Sequence, residues 1–479
     1  MKYRVSVNGK ELPLEQIRVS ALPRNCLWNG EQRPIEQTEI AYYVSFDLLE
    51  ATTVCVQVNG EFQGYELRPK TRNLSSLRHG DTVAFLMDKP MQLTFEVDGT
   101  QGALHILANP PAVYPKKEKG AVISFPKGEY KADLIWLESG QTLYLEEGAV
   151  VHGVVYAKDA ENIKILGRGV IDSSSYRRGN DDHEGGREVI DALLKKGISP
   201  TDVRYAGNLV LNHCKNVLVE GVILKDAPLW SLIVRNDCEN VIIDNVKIVG
   251  QWRYNSDGID ICTSKNVTVK NCFVRSFDDC IVARGAYLDG EAGNVEDLTV
   301  ENCVLWCDWG KSLEVWCGHK PTSIRNLAFR DCFLIHLNMA AINITTWYGS
   351  DASLVENVLY ENIFVESDSD YVFPVVDQKE ASQAIVPQTG FVPFLLHVSV
   401  EKLGIIKGLG TQICEMVTDF SEFSICYRNL SFCNVQSENL NLKVDVCELE
   451  DILKIESIST ENCSFSVQKR KISPEKLVF

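Results

Sequence analysis

Four aspartates lie in two short clusters. "NSDGID" (255–260) carries Asp257 and Asp260, and "FDDCIVARG" (277–285) carries Asp278 and Asp279. Like charges a few Å apart repel, so adjacent carboxylates are unfavourable unless a site uses them. A protonated carboxylic acid beside a carboxylate that activates water is what glycoside hydrolysis requires. Mutual repulsion keeps one member of such a group protonated near neutral pH. A calcium site or a solvated acidic ladder is the alternative for the same residues.

The elements that must bring the clusters together follow from a repeat. "KNVLVEGVIL" (215), "ENVIIDNVKI" (239), "KNVTVKNCFV" (265), "EDLTVENCVL" (296), "RNLAFRDCFL" (325) and "ENVLYENIFV" (356) share one pattern, with weaker copies at 161 and 428. Each is a short alternating strand, a polar turn and a second strand. Val217, Val241, Val267, Leu298, Leu327 and Val358 are the anchors. Four residues on stands Gly221, Asn245, Asn271, Asn302, Asp331 or Asn362, types that tolerate left-handed bends. Cys272, Cys303 and Cys332 follow in an apolar column. Short strands repeated every few tens of residues without helical periodicity predict an all-β, right-handed parallel β-helix. A leucine-rich repeat would need a regular leucine consensus, and propeller blades would be longer.

Residues 1–108 differ: alternating strands such as "TTVCVQVNG" and "MQLTFEVDG" end in NG and DG turns, which predicts a β-sandwich. Residues 109–119 read as the linker and 120–479 as the β-helix. The stretch 173–207 interrupts the repeat and reads as a solvated loop with a short helix, or a lid beside the site.

The chain has 479 residues and a net charge of −17. That balance argues against nucleic acid or an anionic membrane as partner. No run reaches the roughly 18 apolar residues of a membrane span. The first residues alternate apolar and polar and are no secretory signal. The expectation is a cytoplasmic protein, or a secreted or periplasmic one whose leader was removed. The 16 cysteines have no zinc spacing and read as reduced and mostly buried. Oligomeric state is not legible.

A second alignment stacks "WSLIV" (230), "DGIDI" (257), "DDCIV" (278), "KSLEV" (311) and "AAINI" (340) as one strand per coil. It turns Ile259, Ile261, Cys280, Val282, Leu313, Val315, Ile342 and Ile344 to the core. It sets Asp257 beside Asp278, Gly258 beside Asp279, and Asp260, Glu314 and Asn343 in one outward column. Stacked strands lie about 4.8 Å apart, so three carboxylates converge on one face.

"NSDGID" and "FDDCIVARG" resemble the N-T-D-G-x-D and D-D-C-I-A signatures of glycoside hydrolase family 28, the polygalacturonases and their relatives. "LESGQTLYLEEGAVVHG" (137–153) is similar to the early coil of that family and of family 49, the dextranases and isopullulanases, which also carry an N-terminal β-sandwich. The resemblance covers roughly residues 120–370. It implies a pectin-lyase-like β-helix and an inverting hydrolase of poly- or oligosaccharides that needs no metal or cofactor. Matched residue by residue, Asp278 takes the general-acid position, and Asp257 and Asp279 take the positions that hold and activate water. Asn255 orients the cluster, and Asp260 supports it or binds sugar.

Two motifs depart from the family. Where it has G-H-G, "DWGKSLEVWCG" has no histidine before Ser312, and where it has R-x-K, "AINITTW" has neither Arg nor Lys. The acid/base set matches and the galacturonate-binding set does not, so a neutral sugar is expected. Lys311, Glu314, Trp316, His319, Asn343 and Trp347 occupy the vacated region as candidate sugar contacts. Trp230 and Tyr254 are candidate stacking platforms, along with Trp252, Trp306, Trp309 and Tyr348. Arg284 is placed to reach a subsite hydroxyl or carboxylate. His213 and His336 read as structural. A polysaccharide lyase, with calcium on the aspartates and Lys311 or Arg284 as base, is the second reading. A non-catalytic carbohydrate-binding β-helix is the third.

Overall fold

The computed structural model describes residues 2–21, 35–112, 114, 121–176, 187–199, 207–286, 293–317, 322–345, 353–367, 392–399 and 424–473. Two five-stranded sheets use strands between Tyr3 and Asn109. Alternation decides their packing. Tyr3, Val5, Val54, Val56 and Phe85 of one sheet meet Val44, Phe46, Leu93, Phe95 and Ile106 of the other in a buried core.

From Val122 to Ile472 the described strands form one 28-stranded sheet in which each coil pairs with the next, nearly always in parallel. The anchors stack as the repeat predicts: Ile163, Val217, Val241, Val267, Leu298, Leu327, Val358 and Leu430 are successive ladder partners. All are buried in one long core with Cys272, Cys303 and Cys332.

Two asparagine ladders turn the coils. Asn271, Asn302, Asp331 and Asn362 have φ of 50–56°, the left-handed region these side chains tolerate. Asn302 donates to Asn271 at 2.8 Å and Asn362 to Asp331 at 2.9 Å. The second ladder precedes the anchors: Asn216 donates to Asn162 at 3.2 Å, Asn240 to Asn216 at 3.0 Å and Asn357 to Asn326 at 3.0 Å. Each amide is thereby satisfied by the coil below.

The second sheet of the sandwich lies on the β-helix flank. Ile17, Val19, Tyr43 and Leu107 pack on Ile223, Val249, Phe273, Val304, Trp306 and Ile335. Several charges buried here are paired. Arg68 bonds Glu96 at 2.9 Å and Glu366 at 3.2 Å, and His336 meets Glu96 at 2.5 Å. His336 is therefore structural, as read from sequence. Trp306 is a correction: it is fully buried against His105, His336 and Arg275 under the sandwich and is no sugar platform. It pairs with Arg275 on the flank strand, one face away from the aspartates.

The interruption after residue 173 contains one described helix, α1 (Arg187–Lys195), whose Val189 and Leu193 are buried. No described helix is long and apolar enough to cross a membrane.

Candidate active site

The strand that carries the chemistry recurs on successive coils as Leu232–Arg235, Ile259–Cys262, Ile281–Arg284, Lys311–Trp316, Ala340–Thr345 and Phe394–Val398. The ladder pairs Ile259 with Ile281 and Asp260 with Val282. The backbone N–H of Gly258 donates to Asp279 O at 2.8 Å. Asp257 therefore stacks on Asp279, one residue out of the register expected from sequence. Ile281 and Ala283, rather than Cys280 and Val282, continue the inward alternation. The cause is a tight turn at 276–280, where the Ser276 hydroxyl donates to Asp278 O at 2.6 Å. It keeps Cys280 in the core beside Ile281, and a slip of one residue exchanges the faces that follow. Asp278 stands in this turn, one residue ahead of the stacked pair.

Gly310 explains how the next coil passes over the aspartates. A Cβ there would lie 2.4 Å from Asp279 Oδ1 and 2.5 Å from Asp278 Oδ1. The close backbone lets the Lys311 N–H donate to Asp279 Oδ1 at 2.8 Å.

Five carboxylates and two cations share the buried space. Arg284 Nη2 lies 3.3 Å from Asp257, 2.9 Å from Asp260 and 4.0 Å from Asp279. Its guanidinium sits between the Trp230 and Trp316 rings, 4.5 and 5.0 Å from their centroids. It is 8% exposed and so is buried rather than solvent-facing. Lys311 Nζ lies 3.7 Å from Asp279 and 3.3 Å from Glu314. Among the described residues, Asp278 has no cation within 4.0 Å, whereas Asp257 and Asp279 both do. Asp278 accepts from the Asp279 N–H at 3.0 Å and the Asn255 amide at 3.4 Å.

Burial dominates the electrostatics of the whole cluster. Burial pushes the Asp278 carboxyl up to about 6, with Lys311 opposing and Glu314 adding. Burial also raises Asp279, against Lys311, and raises Glu314 to about 7, helped by Asp279. Asp257 is pushed well above the usual range by burial, then by Asp260, Asp278 and Asp279, with Arg284 opposing. The cluster therefore holds protons into the neutral range and titrates as a group.

Asp260, Val282, Glu314, Asn343 and His397 form one outward column. Asn343 donates to Glu314 at 2.9 Å, and His397 Nδ1 meets the side-chain Oδ1 of Asn343 at 2.7 Å. Asn343 and Glu314 are buried in this chain of contacts. His397 was missed from sequence; continuing the stack onto "FLLHV" would have found it. Tyr254 packs on Phe277 and on Trp309, whose ring is 6.0 Å away. His319 and Trp347, like Tyr348, lie outside the described residues. Among the described residues, no group of three or more His, Cys, Asp or Glu side chains is placed to hold a metal ion.

Residues 120–393 match the family model of the glycosyl hydrolases family 28. The chain belongs to that family. Its relatives include an exopolygalacturonase of Arabidopsis thaliana, 24% identical over 57% of this chain and 68% of that one. A probable exopolygalacturonase B of Aspergillus fumigatus is 28% identical over 46% of each chain. The chain thus spans about two-thirds of the first relative and under half of the second. Among solved structures, Dex49A from Penicillium minioluteum superposes with a TM-score of 0.60 at 13% identity, covering 96% of this chain and 88% of that one. At that identity the likeness concerns the fold, sandwich and β-helix together. This family 28 chain is a glycoside hydrolase.

Proposed function

We propose that this hydrolase inverts the anomeric centre, with Asp278 as general acid and Asp257 and Asp279 as the carboxylates that hold and activate water. The observation that carries the reading is the placement of the cations. Arg284 and Lys311 lie within 4.0 Å of Asp257 and Asp279 and oppose the rise that burial gives those carboxyls, while Asp278, buried and with no cation that close among the described residues, has its carboxyl raised to about 6, which supports it as the proton donor. Asp278 gives that proton to the glycosidic oxygen as the bond to the anomeric carbon breaks. Water attacks from the opposite face and passes its proton to the ionised carboxylates. The rate then falls as pH rises through about 6, where Asp278 loses the proton it must donate. A pH profile of kcat checks this, and activity that holds level through about pH 8 contradicts it.

The substrate favoured by the geometry is a neutral sugar. A substrate carboxylate in a site with five carboxylates needs a cation of its own, ideally a bidentate arginine. Arg284, Lys311 and Arg253, the cations that could form a different carboxylate clamp, are engaged by the chain itself. Arg284 holds Asp257 and Asp260, Lys311 holds Asp279 and Glu314, and Arg253 lies 3.2 Å from Asp226 and donates to Ser174 O at 2.7 Å. The names of the relatives favour a second reading, cleavage of galacturonan. Release of reducing sugar from polygalacturonate, α-glucans and galactans separates the two. The expected result is activity on a neutral polymer. Efficient cleavage of polygalacturonate, lost in Lys311→Ala or Arg284→Ala, overturns the substrate assignment and leaves the hydrolase reading standing.

A further inference from the structure

The outward column that carries Asp260 also runs the other way, toward the N-terminus. Trp136, Tyr156, Val210, Ile233 and Asp260 are successive ladder partners. On an open groove these side chains would face solvent beside the bound chain. Here Tyr156 and Val210 are 1% exposed and Ile233 is fully buried. Val189 and Leu193 of α1, with Ile198 and Tyr176, form one apolar cluster with them and with Trp230. Tyr156 stacks on Trp136 with rings 5.5 Å apart and 4° from parallel, and Lys196 lies over Trp136 at 4.9 Å. Trp230 in turn lies against Arg284, which holds Asp257. A wall of packed side chains therefore stands within one coil of the catalytic aspartates. The aspartates themselves are only 2–5% exposed, as at the bottom of a pocket rather than along a channel.

We propose that α1 and the residues packed on it plug the N-terminal side of the groove, so that the enzyme admits a chain end and releases terminal residues. The inference rests on the hydrolase reading above. A chain threaded through the site would need room for sugars on both sides of the scissile bond. The plug removes that room on one side, because an apolar cluster with side chains already packed to a few per cent exposure has no space for a sugar ring. Substrates are then oligosaccharides or polymers presented by one end, and each free end is one site of attack.

The test has two arms. In the first, hydroxyl-radical footprinting with mass spectrometry reads Tyr156 and Trp230 in the wild type and in Leu193→Asp, which places a charge in the cluster. Protection in the wild type and labelling in the variant are expected. Labelling of both residues in the wild type, or continued protection in a folded variant, overturns the plug whether or not a substrate is known. In the second arm, products of the first few per cent of hydrolysis are sized for the polygalacturonate, α-glucan or galactan that is cleaved. One small terminal product with little loss of viscosity is expected. A spread of intermediate lengths from the start overturns end-specific action. Inactivity on every polymer counts against the hydrolase reading, and the footprint then decides the plug by itself.

Discussion

Asp278→Asn lowers turnover by about 10² to 10⁴-fold, the usual contribution of a general acid, while sugar binding and fold persist. The amide is nearly isosteric and keeps the turn that Ser276 ties to the Asp278 carbonyl. It cannot deliver a proton to the leaving oxygen. The variant also separates catalysis from stability. The folded Asp278 carboxyl, at about 6, lies above its unfolded value near 3.9. Its favourable contribution is complete below about pH 4 and is lost as pH rises toward 6. At pH 7 the wild type carries a penalty on the order of 2–3 kcal/mol that an amide does not share. Thermal melting of the variant at pH 7 is therefore equal to or above the wild type, and the gap closes toward pH 4. Turnover near the wild-type level contradicts the role.

Arg284→Ala destabilises the fold by about 3–5 kcal/mol at pH 7, the cost of leaving buried charge without its partner. Asp257 and Asp260 lose the cation that both contact, and the Trp230 and Trp316 faces lose the guanidinium between them. Without Arg284 the Asp257 carboxyl rises further above its unfolded value. Its contribution is then present at low pH and lost across a wider span as pH rises, so the destabilisation shrinks when Asp257 is protonated. Urea unfolding at pH 5 and pH 7 measures both effects. A loss below about 1 kcal/mol, equal at the two pH values, contradicts the account, since that is what an exposed pair contributes.

Much of this architecture can be read from residues. The anchors Val217 to Val358 stack as their spacing requires, because a buried column tolerates only apolar side chains at a period set by the coil. The Asn271–Asn302 ladder is legible because left-handed turns select Asn, Asp and Gly. The aspartates are conspicuous because adjacent carboxylates on a buried strand oppose folding. Other features are not legible, for physical reasons. The one-residue shift at Asp278 arises in a side-chain-tied turn, and "DDCIV" alternates as plausibly in the wrong register as in the right one. His397 stands 54 residues beyond Asn343, so the regular coil spacing passes over it, and only the strand pattern of "FLLHV" marks its coil. Trp306 and Trp230 are the same residue type near the same motif, yet one packs under the sandwich and the other against Arg284. Only the three-dimensional register of the coil separates them.

The most direct test of the three-aspartate mechanism is the configuration of the first product formed. Proton NMR of the anomeric region, recorded in the opening minutes of hydrolysis before mutarotation, reports it. Water delivered by Asp257 and Asp279 opposite to the Asp278 acid predicts an inverted anomer. A retained anomer would require a covalent glycosyl-enzyme intermediate and contradicts the account.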